Sequence, residues 1–209
     1  MLKRNDYFVI VLFVLHAVGV AGLVSEYRSW FQLLTPANLL ISLGILLWAH
    51  RGKNTVFWIT AAGIFAAGFL LEVMGVNTGF PFGTYSYGPT LGWKLWDTPL
   101  MIGVNWLMLI IACGSAANRV PLPWYIKVLV GAGLMVLLDF MIEPVAIALD
   151  FWSWEGDTIP FRNYVSWFVA SVILLWAYFR LPFGKTNKVG GSLYIIQFVF
   201  FTALNFLLE

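Results

Sequence analysis

Histidine, cysteine and charge are all scarce in this sequence. Only two histidines, His16 and His50, and one cysteine, Cys113, occur in 209 residues. No His/Cys cluster with metal-ligand spacing can be assembled from them, and no intramolecular disulfide can form. The His-rich di-iron centres of membrane desaturases and hydroxylases are excluded on the same count. Neither a G-x-G-x-x-G fingerprint nor a Walker loop is present, so flavin, nicotinamide and ATP have no recognisable seat. Charged side chains make up 11% of the chain, against about a quarter in soluble proteins. A net charge of +2 is too small to suggest nucleic acid as a partner.

What is abundant is apolar and aromatic. The chain is 61% hydrophobic and 18% aromatic, with a mean hydropathy of +0.85, which places it among integral membrane proteins. Residues 1–209 read as one all-α membrane domain, a polytopic bundle of about seven transmembrane helices. The apolar segments run roughly over Tyr7–Val24, Pro36–Ala49, Thr55–Val73, Leu100–Ala117, Tyr125–Leu149, Tyr164–Leu181 and Leu193–Leu208. Most approach the ~20 residues that cross a ~30 Å hydrocarbon core. Lys3 and Arg4 precede the first, but its apolar run is too long for a signal peptide and six more follow, so it reads as a retained helix. With the N-terminus in the cytoplasm, nine of the twelve Lys and Arg residues fall on inside segments, leaving Arg28, Lys94 and Arg162 outside. That bias predicts a multi-pass protein of the cytoplasmic (inner) membrane.

Against this background the acids stand out. Leu138-Asp139-Phe140-Met141-Ile142-Glu143-Pro144 places two carboxylates four residues apart in a segment that belongs in a bilayer, where each ionised acid costs about 2.5–3.5 kcal/mol even on the mildest insertion scale. At 100° per residue, Asp139, Glu143 and Asp150 fall within about 40° on the helix projection and climb ~16 Å. Pro144 removes a backbone donor beside them and predicts a kink that frees the carbonyl of Phe140. Asp150, near the interface, is also explained by a simple pairing with Lys or Arg. Glu72 at the end of span three and Asp97 before span four lie towards the same face. No basic residue shares the depth of Asp139 and Glu143, so a carboxyl that is neutral, or hydrogen-bonded to a neutral partner, is expected there. His16 reads as a satisfied core residue that could also hydrogen-bond an acid.

Two outer connections resemble each other. Each runs from a glutamate near a helix end (Glu72, Glu143) through aromatic-Ser-aromatic (Tyr85-Ser86-Tyr87, Trp152-Ser153-Trp154) to Pro-x4-Val-x-Trp at the opening of the next helix (Pro99 to Trp106, Pro160 to Trp167). An interfacial aromatic belt would account for any one of these rings. The shared order predicts a duplicated helix pair that brings Glu72 and Glu143 to related positions around one site.

In combination, Glu72, Phe82-Gly83-x-Tyr85-x-Tyr87, Pro99, Asp139-x3-Glu143-Pro144-x-Ala146, Trp152-x-Trp154 and Pro160-x2-Asn163-Tyr164-x2-Trp167 resemble the CruF-type carotenoid 1,2-hydratases, carotenoid biosynthesis proteins, over roughly residues 55–180. The resemblance implies a cofactor-independent hydro-lyase that adds water across the terminal C1=C2 bond of an acyclic ψ end group, as in lycopene, γ-carotene or bisanhydrobacterioruberin. It implies a carotenoid dissolved in the lipid bilayer as substrate, with other carotenoid-pathway enzymes as possible neighbours.

Such chemistry needs an acid to protonate C2, a tertiary cation at C1, and water delivered there with a carboxylate taking its proton. Glu143 is the first choice of donor, because it lies in the outer half of its span beside Pro144 and away from Lys and Arg. Asp139 would share or orient that proton, and Glu72 would place or deprotonate the water. Tyr85, Tyr87, Trp152 and Trp154 offer aromatic faces to the cation. Asn105, Asn163 and Trp167 complete the substrate side, with Asn77, Thr78 and Ser166 as further polar groups, and Asp97, Asp150 and Pro144 in support. A membrane carotenoid cyclase shares the protonation step but captures the cation with a neighbouring double bond. A carotenoid or lipid carrier would need the apolar cavity without buried acids.

Overall fold

The computed structural model describes residues 3–208. Helix α1 (Arg4–Leu23) is followed by a short helix α2 (Arg28–Leu33) and by α3 (Thr35–Ala49), α4 (Thr55–Thr78), α5 (Leu100–Ala117), α6 (Trp124–Ala148), α7 (Phe161–Arg180) and α8 (Gly190–Leu207). The seven longer helices fall on the seven apolar segments, with most ends shifted by a few residues. Five of them are long and apolar enough to cross a membrane. Of the other two, α3 has 15 residues, and α7 has 20 but carries a more polar first turn, Phe161-Arg162-Asn163.

The helix ends follow local chemistry. Asn54 caps α4 by accepting the Phe57 amide at 2.9 Å, and Gly79 closes the same helix in the left-handed region at φ 70°. Helix α6 runs through Pro144 as one element, with the proline exposed on its outer side.

Helix α5 is the axis of the bundle. Of its apolar window 78% is buried, against 22% for α1, and it packs against α3, α4, α6, α7 and α8. At one end the connections are laced by backbone, amide and guanidinium bonds, Arg51 N–H to Thr186 O at 3.0 Å, Asn54 Nδ2 to Pro182 O at 2.9 Å and Arg119 Nη2 to Lys188 O at 2.7 Å. This is the end that carries most of the lysines and arginines.

The opposite end holds two short antiparallel ladders absent from an all-helical expectation. β2 (Lys94–Leu95) and β3 (Thr98–Pro99) form a hairpin whose turn residues Trp96 and Asp97 both have positive φ, 51° and 59°, the pattern of a type I′ turn. β1 (Tyr85–Tyr87) pairs with β4 (Trp152–Trp154) in the register Tyr85↔Trp154, Ser86↔Ser153, Tyr87↔Trp152. That ladder joins the two similar connections to each other. The serines face outward, Oγ to Oγ at 3.4 Å, while Tyr85, Tyr87 and Trp154 are buried on the helix side. The period-2 alternation of a strand thus sorts aromatic from serine.

Candidate active site

The β1–β4 ladder lies across the ends of two helix pairs, α4–α5 and α6–α7, and Ser86 and Ser153 sit opposite each other at its centre. The pairs correspond element by element. Trp106 of α5 stacks on Trp167 of α7 with ring centres 4.2 Å apart and planes 20° apart, a geometry that contributes about 0.5–1.5 kcal/mol beyond buried area. The glutamates follow the same relation, each receiving donors from its own half.

Glu72, 3% exposed, accepts three hydrogen bonds from neutral groups. Tyr85 and Tyr87 donate their hydroxyls to Oε2 at 2.6 and 2.7 Å, and Trp106 donates its indole N–H to Oε1 at 3.0 Å. Room for these rings comes from glycines one turn to either side. A Cβ on Gly68 would lie 2.5 Å from Trp106, and one on Gly75 would lie 2.6 Å from the Tyr85 hydroxyl. Burial, reinforced by the adjacent carboxylate, pushes both phenols above their ordinary range, so each remains a hydrogen donor across physiological pH.

Glu143 is held in the same way by different donors. Its Oε2 accepts the indole N–H groups of Trp152 at 2.9 Å and Trp154 at 2.8 Å, and its Oε1 accepts Asn163 Nδ2 at 3.1 Å. The same Asn163 amide nitrogen donates to Asp139 Oδ2, also at 3.1 Å. Both of its hydrogens are thereby used. Among the described residues no Lys or Arg side chain bonds to any of the three acids. Lys94, one of three basic residues at this end, donates to the carbonyl of Tyr87 at 2.5 Å instead.

The correspondence breaks at one place. Gly68-x3-Glu72-x2-Gly75 on α4 matches Asp139-x3-Glu143-x2-Ala146 on α6, and Ile102 on α5 matches Asn163 on α7. Asp139, 1% exposed, therefore occupies the position of a glycine in the other half, and its bonding partner Asn163 occupies the position of an isoleucine. A purely structural duplication has no need of that buried polar pair.

The three acids line one cavity of about 30 Å³, together with Tyr85, Tyr87, Asn105, Trp152, Trp154, Asn163 and Trp167. All ten residues expected at the catalytic or substrate side thus meet in one place. Phe82, Ile102, Trp106 and Ile142 complete the lining; the sequence assigns none of them a role, although Phe82 opens the Phe82-Gly83-x-Tyr85-x-Tyr87 motif and Trp106 closes the first Pro-x4-Val-x-Trp segment. A volume of that size admits one or two waters.

The three supporting residues do not join the site. Asp97 is exposed in the β2–β3 turn. Asp150 lies beyond the end of α6 with φ 52° and is exposed, so the acidic stripe stops at Glu143, because the helix does not continue far enough to carry the projection to residue 150. Pro144 points away from the cavity. Of the other polar groups, Asn77 donates to the carbonyls of Val73 and Trp96, Thr78 to that of Met74 and Ser166 to that of Pro81. His16 bonds the carbonyl of Leu12 at 2.8 Å rather than an acid. Among the described residues no group of three or more His, Cys, Asp or Glu side chains is disposed to hold a metal ion.

No solved structure matches the chain significantly. A stretch of 116 residues is 27% identical to the bisanhydrobacterioruberin hydratase of Haloarcula japonica, covering 49% of this chain and 38% of that protein. The match thus spans well under half the length of that relative. A model of the family described as carotenoid biosynthesis protein matches residues 37–208, which takes in every residue of the cavity and all of the helices that carry it. The chain belongs to the carotenoid biosynthesis protein family.

Proposed function

We propose that this protein is a carotenoid 1,2-hydratase, adding water to the terminal C1=C2 bond of an acyclic ψ end group. The observation that carries the reading is a set of three buried carboxyl groups, without cationic partners, around a cavity of water size walled by aromatic rings. Buried acids of this kind are costly in a membrane and suit proton transfer to an apolar substrate. The hydratase name of the relative, and the family itself, agree with that chemistry.

The roles follow from hydrogen bonding. Glu72 and Glu143 each accept three donors, which offsets part of the cost of ionising a buried acid and makes them easier to ionise than Asp139. Asp139 accepts one, from the amide it shares with Glu143. Two carboxyls bridged by a single Asn163 nitrogen hold one proton between them, and Asp139, with the fewest donors, carries it. Asp139 rather than Glu143 is therefore assigned as the acid that protonates C2. The electron pair of the C1=C2 bond forms the new C2–H bond, leaving a tertiary cation at C1. The carboxylates of Glu72 and Glu143 and the faces of the surrounding indoles and phenols stabilise that charge, the aromatic part being worth about 2 kcal/mol when desolvated. A cavity water held by Glu72 adds to C1, and its proton passes to a carboxylate, restoring the acid after exchange within the cluster.

Expression in bacteria that make lycopene or γ-carotene tests the reading. The expected product is heavier than its parent by one water, with a tertiary hydroxyl. A product of unchanged mass with altered absorption and retention would identify a cyclase. No change with any ψ-end carotenoid would leave a carrier.

The proposed orientation puts the β1–β4 ladder outside the cytoplasmic membrane and the N-terminus inside. Ser86 and Ser153 are both exposed on that ladder, so single cysteines at either position in a Cys113→Ser background are expected to react with an impermeant thiol reagent in intact cells. Protection of both, with labelling at Lys185→Cys, would reverse the orientation.

A further inference from the structure

The reaction cavity raises a problem of access. At about 30 Å³ it lies far below the ~300–1,000 Å³ usual for sites that enclose an organic ligand, so a polyene must be accommodated mostly outside it and reach the acids through an opening. The duplicated helix pairs meet through α5, which packs on both α6 and α7, and more lightly where α4 lies against α7, so that α5–α6 and α4–α7 form equivalent seams on the two flanks. Among the described residues only the α5–α6 seam is covered. Helix α8 packs over α5 and α6, with Tyr194 donating to Leu134 O at 3.2 Å and Asn205 to Met141 O at 2.8 Å. Among the described residues, the equivalent seam between α4 and α7 has no such cover. It forms an apolar groove of about 520 Å³, walled by Ala67 and Leu71 of α4, Val169, Ala170 and Ile173 of α7, and the Phe80-Pro81 corner.

We propose that the α4–α7 seam is where the polyene chain of a carotenoid lies and from which its ψ end reaches the acids, an inference that rests on the hydratase reading. The groove and the cavity share one wall. Leu71 faces the groove and Glu72 the cavity; Pro81 faces the groove and Phe82 the cavity; Ser166 faces the groove and Trp167 the cavity. On three separate elements, neighbouring residues thus line the two spaces. Ser166 Oγ donates to Pro81 O at 3.0 Å, pinning the Phe80-Pro81 corner to α7 at this boundary. Apart from Arg162 and Ser166 in the first turns of α7, the walls are alanine, leucine, valine, isoleucine and the Phe80-Pro81 corner, which a long hydrocarbon can follow with little desolvation of polar groups. An acyl chain fits the same surface, but only a molecule with a reactive terminus gains from its continuity with the acids.

Tryptophan at Ala67 or Ala170 fills the groove from opposite walls, while tryptophan at Ala62, exposed elsewhere on α4, serves as the control. Two readouts separate access from chemistry: the carotenoid retained per protein after purification from lycopene-producing cells, and kcat/KM on lycopene compared with a short isoprenoid bearing the same dimethyl-alkene terminus. Both groove variants are expected to lose about tenfold or more in lycopene retention and in kcat/KM, a loss larger on lycopene than on the short substrate, with Ala62→Trp near wild type. Wild-type values for both groove variants would overturn the seam, as would equal losses on the long and short substrates. If the unmutated protein retains lycopene in a seam-dependent way but converts neither substrate, the hydratase reading fails and the seam stands. If it neither retains nor converts a ψ-end carotenoid, both are overturned.

Discussion

Asp139→Asn is expected to lower hydration by about 10³-fold or more, near the upper end of what a positioned general acid supplies. Asparagine keeps the size of the side chain and an oxygen for Asn163 to bond, but it has no proton to give an alkene. The loss should fall on kcat, since the groove and the aromatic walls are untouched. Membrane expression and polyene retention should therefore be preserved. Glu143→Gln should cost less, about 10²-fold, because it removes a stabilising charge and leaves an amide hydrogen facing Asn163, while the acid itself remains. The reverse order, with Glu143→Gln inactive and Asp139→Asn close to wild type, would move the donor to Glu143.

Glu72→Gln carries the second large effect, and its signature differs. Oε2 accepts two phenols and Oε1 accepts an indole. An amide has only one oxygen, so in either orientation at least one buried donor loses its acceptor, at about 1–3 kcal/mol. Thermal unfolding in detergent should show that loss, and hydration should fall about 10²-fold for want of the charge that holds the water. A structural defect alone would produce both results. The distinguishing test is run in deuterated water. If protonation continues at Asp139 while capture fails, the cation at C1 either gives the deuteron at C2 back to Asp139, leaving no label, or loses a proton from a C1 methyl group to a carboxylate, so Glu72→Gln should release an isomer of unchanged oxygen content with a C1 methylidene and deuterium at C2. Absence of that deuterated isomer would mean that Glu72 acts before or during protonation rather than at capture.

Much of this arrangement was legible in the chain because bilayer chemistry is restrictive. Long apolar runs locate helices to within a few residues, and buried acids in such runs are conspicuous. The matching order of glutamate, aromatic-Ser-aromatic and Pro-x4-Val-x-Trp points by itself to paired halves. The β1–β4 ladder was not legible. Its strands are three residues long and lie 67 residues apart at their centres, too short for periodicity and too distant for a turn signal. Projecting Asp150 onto the stripe failed for a related reason, since a helical wheel does not mark where the helix ends.

The asymmetry of the site was also missed, although it is written in the sequence. Aligning the halves on their glutamates sets Gly68 against Asp139, and aligning them on their prolines sets Ile102 against Asn163. In the proposed mechanism, those two exchanges turn one half of the duplication towards acid chemistry. Trp106 was read as the start of a helix, and its role as a donor emerges only when Gly68 lets the indole lie against α4.

The central claim is that an acid makes a cation and water captures it. The most direct measurement supplies membranes containing the protein with a ψ-end carotenoid in oxygen-18 water, with no added cofactor, under air. The expected product is a tertiary alcohol whose oxygen is the heavy isotope, formed at the same rate when oxygen gas is removed. An alcohol carrying the light isotope from dioxygen, or an isomer with no oxygen at all, would contradict that claim.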